Sequence, residues 1–435
     1  MMQVLQFSGF PEKGVEDEAI LQALKPGSSS RNQGGTFMGY PQTTPHAVAI
    51  EAYLSYMEYN TNHVGVFTNS NRQLTASQKM ESEVIAMLGD LYGLNEADGY
   101  ITSGGTEGNI LGVWIARNYF SAQKNTVALM QSCLTHESIQ KAVDLTMISH
   151  VEEIALEDCH FRMDTRRLEE AIDNLISHQI YHAIIIATAG YTLTGTSDDI
   201  REINEIVIKF NKQYGFQGWI HIDAAIGGMV LPFREQENTR WFECEHVMSM
   251  TVDPHKMGYI PYSAGVFMGR KNVLSWIERN NQFSKTHVSN TLIGSRNGAA
   301  AAACWAMFQH LGYSGYKGIL DDLISKKEYL LGKLLQKHIA EVISNPETNM
   351  CCLSFNSFSN CLLPGRLEQK YATRAFSIQY RGSVINCYKL YIMPHISYAT
   401  LDMLYEDIME ALAESSLKPS KSEVKPQHEK VISPM

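Results

Sequence analysis

Three short segments of this 435-residue chain carry side chains whose types and spacing suit catalysis. The first, Thr102-Ser103-Gly104-Gly105-Thr106-Glu107-Gly108-Asn109, precedes an apolar-periodic stretch. Glycines let backbone amides approach a ligand closely, and a helix N-terminus offers free N–H groups and a dipole favourable to phosphate. The spacing is neither GxxxxGK[ST] nor GxGxxG, so by itself a plain turn reads equally well. The second, His221-Ile222-Asp223-Ala224-Ala225-Ile226-Gly227-Gly228, puts Asp223 at the end of an apolar run, where α/β enzymes place their ligands. A carboxylate there suits a cationic ring nitrogen, or equally a helix cap. The third, Thr251-Val252-Asp253-Pro254-His255-Lys256-Met257-Gly258, sets a lysine behind a strand and a histidine. If Lys256 is buried, its amine titrates low and suits a Schiff base; a surface lysine is the bland alternative. Taken together the three supply what pyridoxal 5'-phosphate (PLP) requires: amides for the phosphate, a carboxylate for the pyridinium nitrogen and an amine for the aldehyde.

These segments need a frame that brings them to one place. Apolar spacing at Met80, Val84, Ile85, Leu88 and Leu91 predicts a helix over 77–94, and another runs from Thr106 to about Phe120. Short apolar runs at 127–130, 183–187, 219–222, 247–252 and 265–268 read as strands, with helices at 166–177 and 198–210 between several of them. Such alternation predicts βαβ units and a mostly parallel sheet. The alanine-rich run 299–308 reads as a buried helix. Beyond 311, a helix (321–338), strand-like pieces at 352–355 and 388–393 and a last helix (399–413) suggest a small α+β domain. The expected organisation is an N-terminal arm over 1–50, a large domain over 51–310, a small C-terminal domain over 311–415 and a disordered tail over 416–435.

Composition bounds the function classes. Hydrophobic residues make up 44% and charged residues 19%, with a net charge of −10, so a folded core is expected and general nucleic-acid binding is not. No apolar run reaches the length of a membrane span and the N-terminus lacks a signal-peptide pattern. The eight cysteines form no CxxC pair, which argues against structural zinc and fits thiols in a reducing cytoplasm. Adjacent Cys351 and Cys352 are expected to pack in a core.

At these residues the sequence resembles the group II pyridoxal-phosphate decarboxylases. It looks most like the archaeal-type tyrosine/aspartate decarboxylases, with similarity to histidine and serine decarboxylases and to sphingosine-phosphate lyase. The motifs recur in order: Thr44-Pro45-His46, Tyr100 to Glu107, Thr135-His136, Gly190 to Gly195 with Asp198-Asp199, His221 to Gly228, Asp253 to Gly258, Gly294-Ser295-Arg296 and Met393-Pro394-His395. The resemblance implies an α/β fold of the aspartate-aminotransferase type (fold type I). It also implies decarboxylation of an L-amino acid through an internal aldimine on Lys256, in a homodimer with a shared active site. By the same resemblance Gly105 and Thr106 bind the cofactor phosphate, His136 stacks on the ring and Thr192 lies near its phenolic oxygen. Asp223 pairs with the ring nitrogen, Ala225 packs beneath the ring, His255 contacts the phosphate and relays a proton, and Ser295 reaches the phosphate from the partner subunit. His46, Tyr40, Tyr259 and Tyr262 are candidate pocket residues.

Three departures fall on what the resemblance makes the substrate side. Phe283 stands where the family's mobile loop carries a proton-donating tyrosine, which raises oxidative deamination or carbon–carbon cleavage of a phosphorylated amino alcohol as alternatives; His287 or a water is another source for the proton. Lys389 stands where relatives carry an arginine that clamps the α-carboxylate, keeping the charge without the bidentate fork. Asn62-His63 stands where relatives carry Gly-Asp. A non-catalytic binding protein on the same fold is a further alternative, against which the intact Asp223, His255 and Lys256 speak.

Overall fold

The computed structural model describes residues 16–23, 35–66, 74–122, 125–280 and 288–416. The expected tail over 416–435, Phe283 and His287 therefore fall almost wholly outside the described residues.

The predicted alternation closes into a seven-stranded sheet. Its strands are β1 (Ala97–Thr102), β2 (Ala128–Ser132), β3 (His150–Ile154), β4 (His182–Thr188), β5 (Gln217–Ala224), β6 (Val247–Val252) and β7 (Gly265–Arg270), in the order β1-β7-β6-β5-β4-β2-β3. Only β7 runs against the rest. Strand β4 shows why the middle of the sheet reads as a continuous apolar run. Ile184 and Ile186 enter one hydrophobic cluster while Ala183, Ile185 and Ala187 enter the cluster on the opposite face, because helices cover both sides of a parallel sheet. Edge strand β3 was not predicted: His150, Val151 and Glu153 are exposed, so no apolar pattern marks it.

Local signals start the helices where the site needs them. Helix α1 (Ala47–Met57) is capped by His46, and α2 (Ala76–Leu91) by Thr75, whose hydroxyl accepts from Gln78 N while the Gln78 side chain accepts from Thr75 N. Helix α3 (Gly105–Ser121) follows β1 directly, and α4 (Glu137–Thr146) is capped by His136. Helices α5 (Thr165–Ser177) and α6 (Ile200–Tyr214) start behind the caps Asp164 and Asp199.

The two helices expected at 299–308 and 321–338 are one element, α7 (Gly298–Gln336), with a non-helical residue at Gly312 (φ 54°). Its alanines, Ala299 to Ala303, are fully buried. It carries the chain to a four-stranded antiparallel sheet, β8 (Glu341–Ser344), β9 (Met350–Ser354), β10 (Phe376–Tyr380) and β11 (Ser383–Tyr391), in the order β8-β9-β11-β10, followed by α8 (Tyr398–Ser416). Strands β8 and β10 were missed because both are short and half-exposed. Cys351 and Cys352 are buried on opposite faces of β9, in separate clusters, as core residues. All eight cysteines are free of disulfides. Among the described residues no helix is long and apolar enough to cross a membrane, and no group of ligating side chains is arranged for a metal.

Candidate active site

The C-terminal ends of β1, β2, β4, β5 and β6 surround a cavity of about 280 Å³, at the position where an open α/β sheet holds its ligand. Its lining includes Gly105, Thr106, His136, Thr192, Asp223, Ala225, His255 and Lys256. Eight of the predicted site residues, from five separate loops, are thus brought together.

The β1–α3 turn is packed as a cradle. A Cβ at Gly105 would lie 2.8 Å from Asp253 Oδ2 and 3.1 Å from Ala225 Cβ, so only glycine lets the start of α3 come this close. Glu107 holds the turn from within. Its Oε2 accepts from Ser103 N at 2.7 Å and its Oε1 accepts from the Tyr100 hydroxyl at 3.1 Å. The first N–H groups of α3 have no partner within the helix, and a helix start of this kind favours an anion.

At the end of β5, Asp223 is buried and both its oxygens are engaged. Ala225 N donates to Oδ1 at 3.1 Å and Asn109 Nδ2 donates to Oδ2 at 2.8 Å. His136 also lines the cavity, its Nδ1 accepting from Ser138 N at 3.2 Å and lying 2.9 Å from Ser138 Oγ. Thr188 and Tyr191, at the end of β4, line it too. The Tyr191 hydroxyl donates to Asp198, whose carboxyl burial pushes up to about 6.

Lys256 sits one turn after β6 and its Nζ lies 2.9 Å from Asp253 Oδ2. Burial works to lower the Lys256 pKa, but the Asp253 carboxylate more than offsets it and the net direction is upward. This corrects the expectation of a depressed amine, which considered desolvation without a partner. Asp253 Oδ1, buried, has no hydrogen-bond partner among the described residues. His255 accepts from Ala264 N through Nδ1 at 3.2 Å, its Nε2 lies 3.6 Å from Asp253 Oδ2, and burial lowers its pKa. The Tyr262 ring stands 4.1 Å from the His255 ring.

Other expected residues lie outside this lining. Ser295 is exposed and accepts from Asn62 Nδ2 at 3.1 Å. Lys389 Nζ lies 5.2 Å from the Tyr40 ring; burial lowers its pKa and the like charge of Lys256 adds to that lowering. His46 caps α1 and its ring lies 4.9 Å from that of His310. Tyr259 is buried. His63, expected to touch substrate, instead points into the interior. Its Nδ1 lies 3.3 Å from Glu81 Oε2, within a buried cluster completed by the Arg296–Glu81 ion pair.

Sequence reading assigned no role to Asp253, Asn109, Thr188, Tyr191 or Glu107. Asp253, Asn109 and Glu107 lie inside the quoted motifs, three residues before Lys256 and at successive polar positions of the α3 start. That placement was the available signal.

Comparison with known proteins identifies the family and the fold. Residues 55–357 match the family described as "Pyridoxal-dependent decarboxylase conserved domain". The chain is 30% identical over 404 residues to a "Probable L-tyrosine/L-aspartate decarboxylase" of Methanothrix thermoacetophila, covering 93% of this chain and 97% of the relative. It is 29% identical to the "L-aspartate/L-glutamate decarboxylase" of Pyrococcus horikoshii, covering 93% and 100%. Among solved structures, glutamate decarboxylase of Lactobacillus brevis superposes with a TM-score of 0.80 at 16% identity, covering 96% of this chain and 97% of the other. TDC of Oryza sativa with PLP and tryptamine superposes with a TM-score of 0.79 at 16% identity, covering 94% and 90%. The fold is therefore the type I fold of PLP decarboxylases.

Proposed function

The chain belongs to the pyridoxal-dependent decarboxylase family, and from that premise we propose how its own residues serve the removal of carbon dioxide from an L-amino acid. The protein is a PLP-dependent amino-acid decarboxylase. The observation that carries the assignment of roles is the convergence of Lys256, Asp223 and the Gly105–Thr106 turn on one cavity. The residues present fit the cofactor on physical grounds. A Cβ at Gly105 would close the cradle, and Asp253 keeps a buried carboxylate oxygen without a partner at the cavity wall.

When bound, PLP supplies an electron sink for the electrons left at the α-carbon as carbon dioxide departs. Gly105 and Thr106 hold its phosphate by backbone N–H groups at the start of α3. Asp223 holds the ring nitrogen's proton, with both carboxylate oxygens already oriented by Ala225 N and Asn109 Nδ2. His136, Ala225, Thr192 and Thr188 line the same cavity and would contact the cofactor there. Lys256 is the amine that would hold the cofactor through its aldehyde. Asp253, 2.9 Å from Nζ, is placed to take the proton the amine must lose, and His255 lies next to Asp253 to pass it on. Lys389 receives the substrate α-carboxylate, and His46 with Tyr262 lines the approach. Ser295, exposed in the single chain, would hold the phosphate of a partner subunit in a homodimer.

We infer a substrate of the class its relatives' names give, L-aspartate or L-tyrosine. The oxidative and lyase alternatives rested on Phe283, and the family match favours decarboxylation. A panel of L-amino acids, read by carbon dioxide release and by change in the cofactor's visible absorbance, tests this reading. Turnover of aspartate or tyrosine is expected; stoichiometric peroxide, or no spectral response to either, would overturn it.

A further inference from the structure

A buried file of hydrogen bonds runs behind the cavity and ends on Asp223. Trp219 Nε1 donates to Ser249 Oγ at 3.0 Å, and Ser249 Oγ lies 2.9 Å from His221 Nδ1. His221 Nε2 lies 3.1 Å from Asn109 Oδ1, with Thr251 Oγ1 a longer contact at 3.4 Å. Asn109 Nδ2 then meets Asp223 Oδ2 at 2.8 Å and Ser138 Oγ at 2.9 Å, and Ser138 Oγ meets His136 Nδ1 at 2.9 Å. Trp219, Ser249, His221, Asn109, Ser138 and Asp223 are all buried.

The chemistry of the two ends fixes every proton between them. Indole nitrogen can only donate and a carboxylate can only accept. Asn109 must therefore turn its NH₂ to Asp223 and its carbonyl to His221. His221 must carry its proton on Nε2, leaving Nδ1 to accept from the Ser249 hydroxyl, whose oxygen accepts from Trp219. On the branch, Ser138 Oγ accepts the second Asn109 N–H and gives its own proton to His136 Nδ1. A neutral His136 then keeps its ring proton on Nε2.

We propose that Asn109 is a positioning residue for the cofactor, one amide that holds the carboxylate at the ring nitrogen in its accepting state and, through the Ser138 hydroxyl, reinforces the His136 tautomer that the Ser138 backbone N–H already sets. His221 is its orienting partner. Two independent features support this. Gly112 leaves room for the His221 ring, since a Cβ there would stand 2.3 Å from His221 Cε1. Burial also lowers the His221 pKa to about 3, so the imidazole stays neutral and its single ring proton stays directed at Asn109 across the working pH range. A His221 that charged near neutrality would put a second proton on Nδ1, and the Ser249 oxygen would then have to accept from both His221 and Trp219.

The proposal rests on Asp223 as the ring-nitrogen partner, and the test separates the two. Holoenzyme is prepared for wild type, Asn109→Ala, Asn109→Asp, Ser138→Ala and Asp223→Asn. Two quantities are read: the PLP dissociation constant, and the pH midpoint of the cofactor's visible absorbance. Loss of the amide donor removes a hydrogen bond to a charged group, so PLP binding to Asn109→Ala is expected to weaken on the order of tenfold to a hundredfold. The midpoint is expected to move upward, because a ring that holds its proton less firmly leaves the nitrogen joined to Lys256 easier to protonate. The other titratable groups around the cavity, Glu107, His136, Asp253, His255, Lys256 and Tyr262, are the same in Asn109→Ala, so the shift reports on Asn109. Asn109→Asp keeps the shape and sets a second acidic group beside Asp223 in place of the amide, and should change both quantities even if the alanine variant fails to fold. Ser138→Ala touches only the branch and should shift the midpoint less. If Asp223→Asn changes both quantities while Asn109→Asp changes neither, the role of Asn109 is overturned and that of Asp223 stands. If Asp223→Asn changes neither, both are overturned.

Discussion

The wall of the cavity that faces the cofactor and the mouth through which substrate enters are built on different terms. On the wall, Asp223, Asn109, His255 and Glu107 are buried, and Asp223, Asn109 and Glu107 have their polar atoms engaged within the same chain. On the side we assign to substrate, Tyr262 lines the cavity and is exposed, and Tyr40, Leu292, Ile293 and Ser295 are exposed outside the lining. Exposed apolar groups gathered near a site mark a surface that something else covers. The contrast teaches that the polar groups of the wall are satisfied within one chain, whereas large apolar side chains beside it are left exposed by that same chain.

The largest expected effect breaks the comparison at its centre. Lys256→Ala should abolish turnover and the visible absorbance together, as checked by spectrophotometry of the purified protein; an unchanged spectrum would remove Lys256 from the chemistry. Asp223→Asn should lower kcat by about 10²- to 10³-fold, the scale seen when a preorganised electrostatic partner is removed, as measured by carbon dioxide release.

Smaller effects sharpen the mouth. Lys389→Met should raise KM for the amino acid on the order of tenfold while PLP affinity stays fixed, and Lys389→Arg should keep most of the activity. A matching loss of PLP affinity would move Lys389 from the mouth to the wall. Ser295→Ala should weaken PLP binding by about tenfold without altering the spectrum of the bound form, and sedimentation should show a dimer. A monomer with full activity would contradict the second-subunit reading.

The smallest effect concerns stability against acid. His221, held neutral by burial, titrates near 3 when folded and at its ordinary value of 6.5 when unfolded. Its contribution is complete above 6.5 and is lost as pH falls through about 3. Glu81 would be raised by burial, but Arg296 and His63 overcome this and bring it to about 2 from 4.5, so its contribution persists above 4.5 and is lost as pH falls through about 2. Asp198 has the opposite sign: raised by burial from 3.8 to about 6, it favours the folded state below 3.8 and loses that contribution as pH rises through 6. His221→Asn should therefore flatten the fall in unfolding free energy between pH 6.5 and 4.5, as followed by urea denaturation. An unchanged slope would show that His221 is not held neutral.

Much of the wall was legible in the chain because its parts are local. Glycines before a helix, a carboxylate at a strand end and a lysine after the next strand are read from neighbours within one turn, and apolar periodicity placed the strands that carry them. The Lys256 amine was misread because its titration depends on the Asp253 carboxylate at 2.9 Å, not on burial alone. Edge strand β3 went unseen because exposure erases the apolar pattern on which such reading depends.

By itself the sequence determined the α/β frame and the cofactor class, and with the family resemblance it named residues that the structure gathers around one cavity. Only the tertiary structure decided their partners. Asn109 and Asp223 lie 114 positions apart, and Arg296 and Glu81 lie 215 apart. Chain spacing at that range carries no distance, because sheet order and the packing of helices on the sheet, not proximity in sequence, set which side chains touch. The tertiary structure alone therefore sent His63 inward to Glu81 and aimed the Asn109 amide at Asp223.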